Sequence, residues 1–379
     1  MTNGKSFYSA GLRDSGRRIT RGIAPHLVIA AWGMAIFLVG GTQAVKAQCN
    51  RQWTAAAPLA TARASVAAVT GPDGLIYAMG GDSTSSSVEA YNPNTKTWAA
   101  IPQNLPTPRS SFAATTGLDG KIYVIGGLDI NGAKSGVVEA YEPATGSWST
   151  NLPSLNIPRF NLAATTGLDG KIYALGGITV SGDTAAVEVY DPKNPGSGWV
   201  QTTNPMSTTR SYLAAVTDPT GLIYAIGGIT GTGDETSVET YNPAVGTWTA
   251  ATSMNNPRYN FAAVTGLDGR IYAIGGDPGN SNTVEAYDWG TGTWTQLSST
   301  LLNGRDALGA AAGLDGNIYA VGGDVNSSPS NLVEAYPTST NWAIGPGMPP
   351  FSDPTIPYGR RELAAATGSD GNVYALGGE

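Results

Sequence analysis

The eleven residues Gly167 to Gly177 read GLDGKIYALGG, a Leu-Asp-Gly turn feeding a short apolar run that stops on a glycine pair. Near-copies stand at Gly71 to Gly81, Gly117 to Gly127, Gly266 to Gly276, Gly313 to Gly323 and Gly368 to Gly378, with a looser one, DPTGLIYAIGG, at Asp218 to Gly228. Seven copies in one chain restrict the fold to a repeat architecture. The 379 residues would otherwise accommodate two average domains; the repetition points to one. The 51 glycines and 24 prolines, with only 13% charged residues, suit many short strands joined by tight turns.

Internal spacings define the unit. An arginine stands 17 residues before the first glycine of every pair, at Arg63, Arg109, Arg159, Arg210, Arg258, Arg305 and Arg360. That constant interval predicts two strands and one hairpin with no insertion. The first strand is built of small residues, as in Leu162-Ala163-Ala164-Thr165, which suits a strand crowded toward an axis. Asp-Gly then supplies the positive φ that a tight hairpin needs. A second strand with Ile-Tyr runs into the glycine pair. A third carries Val-Glu-x-Tyr, from Val88 to Tyr91 through Val333 to Tyr336, and a fourth carries one tryptophan, at Trp98, Trp148, Trp199, Trp248, Trp294 and Trp342. Four antiparallel strands per repeat make one propeller blade.

The order Arg, small apolar strand, Asp-Gly, Ile-Tyr-x-x-Gly-Gly, Val-Glu-x-Tyr, Trp resembles the kelch repeat, and it covers the chain from Trp53 to Glu379. The resemblance implies an all-β fold, a β-propeller of four-stranded antiparallel blades. Trp53 reads as a fourth-strand tryptophan without preceding strands, while Arg360 to Gly378 supplies two strands without the two that should follow. Joining them gives the expectation of seven blades, the seventh closed by both termini. That blade lacks its third strand, and by the spacing of the other repeats a further stretch on the order of 10 to 20 residues is expected to complete it.

Residues 1–47 have a different character. Lys5, Arg13, Arg17, Arg18 and Arg21 precede the uncharged run Leu27 to Val39, and Ala44-Val45-Lys46-Ala47 follows. This is the charged, apolar and small-residue order of a secretory signal, with an apolar core shorter than the ~20 residues of a spanning helix. The expected organisation is a signal at 1–47 and a propeller at 48–379, exported as a secreted or periplasmic protein that works as a monomer. Membrane contact is expected only through an uncleaved signal. Beyond residue 47 there are 15 basic and 27 acidic residues, a formal −12. Such a domain is a poor match for nucleic acid. The one cysteine, Cys49, leaves stability to packing.

The recurring Arg, Glu, Tyr and Trp read as structure, because a residue present in every repeat does not mark one site. The one histidine, His26, lies in the signal segment. Zinc, copper and haem sites of the usual ligand types are thereby excluded, and no cofactor is expected. Galactose oxidase, a copper enzyme on a kelch-like propeller, needs histidine ligands that this chain does not supply. Histidine acid-base catalysis fails on the same ground.

Function is expected where the repeats disagree. By the kelch resemblance, the loop into the first strand and the loop after the glycine pair open on one face around the channel. The position two residues past the arginine there points to the mouth. It reads Ser65, Ser111, Asn161, Tyr212, Asn260, Ala307 and Glu362, and the position before it Ala64, Ser110, Phe160, Ser211, Tyr259, Asp306 and Arg361. From these, Ser65, Ser111, Phe160, Asn161, Tyr212, Tyr259, Asn260, Arg361 and Glu362 form a candidate site for a polar ligand. The leading expectation is a binding module for a glycan, peptide or protein. The alternatives are a metal-independent enzyme similar to kelch sialic acid mutarotases, with Glu362, Arg361 and Asp306 as its catalytic groups, and a structural cell-envelope protein.

Overall fold

The computed structural model describes residues 51–81, 86–231, 233–338, 364–367 and 373–376. The expected signal, and with it Arg361 and Glu362, lies outside them. Six four-stranded antiparallel sheets follow one another along the chain. In the third, Ala163–Thr166 lies innermost and pairs with Ile172–Leu175, which pairs with Val187–Tyr190 and then Trp199–Gln201.

The second strand of each blade is covered on both faces by neighbouring blades, which is why Ile172 to Leu175 read as a continuous apolar run and are buried throughout. The core accordingly divides into six clusters, each shared by two adjacent blades. One of them joins Ile76 and Tyr91 of the first repeat to Tyr319 and Val333 of the sixth, so the ring closes.

Closure corrects the expected blade number. Thr54–Ala55 pairs with Val333–Pro337 in the register Thr54 to Ala335 and Ala55 to Glu334, completing the sixth sheet rather than a seventh. Trp53 sits 5.3 Å from the Tyr336 ring, the relation Trp148 has to Tyr141. At the seam the Thr70 hydroxyl donates to the Ala312 carbonyl at 2.7 Å. The approach is so close that a Cβ on Gly309 would lie 2.7 Å from the Ala68 Cβ; the other five blades have Ala67, Ala113, Ala163, Ala214 and Ala262 at that position. Small inner strands let six blades fill the circle. The seventh repeat contributes Ala364–Thr367 and Val373–Leu376, which among the described residues pair with each other alone.

The repeated polar residues hold the blades together. Each of the six described repeat arginines is buried against the glutamate of its own third strand, as in Arg109 with Glu139 at 2.6 Å and Arg159 with Glu188 at 3.1 Å. Arg63, Arg109, Arg210 and Arg258 also donate to the carbonyl of the first glycine of the pair, 17 residues on, as in Arg109 to Gly126 at 2.9 Å, which fits the fixed interval. Burial lowers the pKa of Arg159 to about 10, against the pull of Glu188. The turn aspartates accept from the tyrosine hydroxyls, as in Tyr173 to Asp169 at 2.8 Å. The Arg, Glu and Tyr positions of the repeat are thus accounted for by packing.

Candidate functional site

After its arginine, each of the six blades turns into the inner strand through one residue of left-handed conformation: Ser65, Ser111, Asn161, Tyr212, Asn260 and Ala307, with φ between 49° and 54°. Only a kink of this kind swings the chain from the arginine into the inner strand, and it costs a β-carbon strain on non-glycine residues. Their backbones link around the channel. Asn161 N–H donates to Ser111 O, Tyr212 to Asn161, Asn260 to Tyr212 and Ala307 to Asn260, at 2.8 to 3.0 Å. The six residues, each with the residue that follows it, line a cavity of about 120 Å³ at the channel mouth. The structure therefore brings Ser65, Ser111, Asn161, Tyr212 and Asn260 together.

The residue before each kink pairs with the residue after the glycine pair: Ser110 with Leu128, Phe160 with Ile178, Ser211 with Ile229, Tyr259 with Asp277 and Asp306 with Asp324. The residue after the glycine pair is thus apolar on blades two to four and acidic on blades five and six. On the apolar side one flank of the Phe160 ring is taken by Lys134, whose Nζ lies 5.6 Å from the ring centre. Tyr212 and Tyr259 meet edge to face, their centroids 6.2 Å apart.

On the acidic side Asp277, Gly279, Asn280, Asp306, Asp324, Asn326 and Ser327 surround a cavity of about 620 Å³. It adjoins the mouth, because Asn260 lines the mouth and donates from Nδ2 to Asp306 Oδ2 at 2.8 Å. Asp306 is 9% exposed. Burial, reinforced by the charge of Asp277, pushes its carboxyl up to about 6, while the bond from Asn260 pulls the other way. Burial also raises Asp324, and burial with the charge of Asp277 raises Tyr259.

The sequence reading missed Asp277, Asp324, Asn280 and Asn326. Their signal was the residue just after the glycine pair, which changes from Leu or Ile in repeats two to four to Asp in repeats five and six. Among the described residues no group of three His, Cys, Asp or Glu side chains is arranged to hold a metal ion.

The family model of the KLHDC2/KLHL20/DRC7 Kelch-repeats domain matches residues 63–276, more than half of the chain, and the Kelch motif matches residues 257–300. The chain belongs to the kelch-repeat family. Among solved structures this kelch-repeat chain is similar in fold to YjhT, with 16% identity and a TM-score of 0.62, over 74% of this chain and 95% of that one. No curated protein matches the kelch-repeat chain in sequence.

Proposed function

We propose that this chain is a kelch-repeat binding module, exported to the periplasm or the medium, that takes a glycan at the mouth of its channel. The observation that carries the reading is the junction of the two cavities at Asn260 and Asp306. There Tyr212, which lines the mouth and meets Tyr259 edge to face, offers aromatic surface beside a set of carboxylates and amides. Flat rings that cover the apolar face of a sugar, with polar groups fixing its hydroxyls, fit a polyhydroxylated ligand, and about 620 Å³ lies within the usual range for small-ligand pockets. The acidic rim disfavours anionic sugars, since like charges in a partly desolvated site repel. A neutral or amino-bearing glycan is the better fit. An extended peptide or a protein surface presenting Lys or Arg would meet the same groups.

The enzyme reading draws on one specific observation. Asp306, pushed up to about 6, would exchange protons near neutral pH, as a general acid-base group must. A sugar-active enzyme on this site would use Asp306 for proton transfer; its other expected groups, Arg361 and Glu362, lie outside the described residues.

A thermal-shift screen with neutral, amino-bearing and acidic mono- and oligosaccharides tests the binding reading, because a ligand that binds only the folded state raises the midpoint by mass action. Shifts with neutral or amino sugars are expected. Shifts confined to acidic sugars would contradict the reading, and a response to none would redirect it to protein partners. Turnover of a shifting sugar, lost in Asp306→Asn, would mark the enzyme.

A further inference from the structure

We propose that the boundary between blades one and two carries an amide-binding subsite, where the backbones of Ser65, Gly81, Arg109 and Ser111 take the acetamido group of an N-acetylated sugar unit. This deepens the glycan reading above and rests on it for the molecule that supplies the amide. The opening itself belongs to the free protein.

From blade two to blade six, two backbone bonds close every boundary at the mouth. Each kink N–H donates to the kink carbonyl of the blade before it, from Asn161 to Ser111 through Ala307 to Asn260. The second glycine of each pair donates to the arginine carbonyl of the next blade, as in Gly127 to Arg159 and Gly276 to Arg305, both at 2.9 Å. At the closing boundary the glycine bond is kept, Gly323 to Arg63 at 2.8 Å. Between blades one and two, among the described residues, neither bond is made: Ser111 N–H does not reach Ser65 O, nor Gly81 N–H Arg109 O. The chain is set apart there. A Cβ added to Gly80 would lie 3.4 Å from Arg109 O, against 2.8 Å or less at the other five boundaries. Gly81 has a φ of 142°, where its five counterparts lie between 95° and 106°. An added Cβ on Gly81 would stand 3.6 Å from Ala64 O, against 2.8 Å or less for the counterparts. The Phe112 ring leans into this boundary, its Cε1 2.5 Å from the Cβ point on Gly80, closer than any side chain comes at the other first glycines.

The opening therefore presents two N–H donors, on Ser111 and Gly81, and two carbonyl acceptors, on Ser65 and Arg109. Gly81 and Arg109 are buried residues, and backbone groups in such places are ordinarily paired, because an unmet one keeps its full desolvation penalty. A ligand that supplies both partners is favoured. A planar secondary amide gives and takes at two separate atoms, as the missing peptide pair does, so its carbonyl can accept from Ser111 or Gly81 while its N–H donates to Ser65 or Arg109. A carboxylate has acceptors alone and would face the two carbonyls; an ammonium has donors alone and would face the two N–H groups. The Arg109 guanidinium does not alter this balance, being held by Glu139 and the Gly126 and Val124 carbonyls. Phe112, which lines the mouth beside Ser111, offers its ring to the acetamido methyl. Ser65 and Ser111 line the same mouth cavity as Tyr212 and Asn260, so a sugar chain laid over the mouth meets the opening and the ring together.

Residue-resolved amide exchange and calorimetry on the full chain test the subsite. In the free protein the Ser111 and Gly81 amides should exchange at least about tenfold faster than those of Asn161 and Gly127, their bonded counterparts. Equal protection would mean a closed boundary and overturn the proposal. The probes are the trimers of N-acetylglucosamine and of glucose. The acetylated trimer should bind about tenfold more tightly, the order expected for two added hydrogen bonds, and should slow exchange at both Ser111 and Gly81. Equal affinity, or tight binding that leaves both amides exchanging freely, would overturn the subsite while the mouth reading stands. Protection of the two amides by an N-acetylated tripeptide and by neither trimer would assign the amide to a peptide and overturn the proposal as stated. A chain that answers no sugar at all removes the glycan reading and this subsite with it.

Discussion

Asn260 Nδ2 lies 2.8 Å from Asp306 Oδ2, across the boundary between two blades whose backbones are already joined by the Asn260 carbonyl and the Ala307 N–H at 2.8 Å. The contact couples a structural belt to a site of variation. Backbone bonds link the kink residues from Ser111 to Ala307, and among the described residues only here does the residue before the kink carry a charged side chain.

The first prediction concerns that charge. A carboxyl raised from its ordinary value to about 6 is harder to ionise in the folded chain than in the unfolded one. Its penalty is absent below the ordinary carboxylate range, grows as the pH rises toward 6, and is complete above it. Asp306→Asn removes the penalty, so the variant should be more stable than the parent by about 1–2 kcal/mol near pH 7.5 and no more stable near pH 4. Denaturant unfolding of both proteins at the two pH values checks the crossover.

The closing seam supplies a second. Gly309→Val would drive a side chain into the Ala68 Cβ and backbone nitrogen, 2.7 and 2.8 Å from an added Cβ. Overpacking of this kind costs typically about 1–3 kcal/mol, so Gly309→Val should lower the unfolding midpoint clearly. Ala163→Val, at the same repeat position between blades three and four, serves as the comparison.

Trp53 gives a third. It is 3% exposed, packs on Tyr336, and belongs to the strand that completes the sixth sheet. Trp53→Ala should cost about 3–5 kcal/mol and favour opening of the ring at that sheet. Hydrogen exchange should therefore rise first at Val333–Pro337, whose outer edge the strand covers.

The buried ion pairs give a fourth. Arg159 is fully buried against Glu188. Removing one partner leaves an uncompensated charge, so Arg159→Met should cost about 3–5 kcal/mol, and adding Glu188→Leu should recover a substantial part of it. Thermal unfolding of the single and double variants measures the recovery.

Much of this fold was legible because the repeat writes each blade's rules seven times. The Arg to Gly-Gly interval encodes a guanidinium reaching a carbonyl, and Asp-Gly followed by Tyr encodes a turn and its hydroxyl partner. Blade number was not legible. Trp53 reads in the sequence as the end of a seventh sheet, because Trp342 stands at the fourth strand of the sixth repeat, and only the tight seam between Gly309 and Ala68, together with the register of Thr54 on Ala335, assigns it to the sixth. The mouth positions were readable as variable ones by analogy with the family. Asp277 and Asp324 were not, because Asp324 pairs with Asp306 across a bridge and Asp277 lines the same cavity from blade five, relations that sequence distance conceals. Phe160 was readable as an aromatic but not as one partly covered by Lys134.

The central claim is that ligand is taken at the mouth and not at the opposite end of the channel. The measurement is the calorimetric affinity of the sugar giving the largest thermal shift, for the parent, for Tyr212→Ala at the mouth and for Leu168→Ser in the 56% exposed turn at the far end of the third blade's inner strand. The account predicts a loss of at least about tenfold in Tyr212→Ala, as expected for removing a hot-spot aromatic, and parental affinity in Leu168→Ser. Full affinity in Tyr212→Ala with a loss in Leu168→Ser would place the site on the other face and contradict the account.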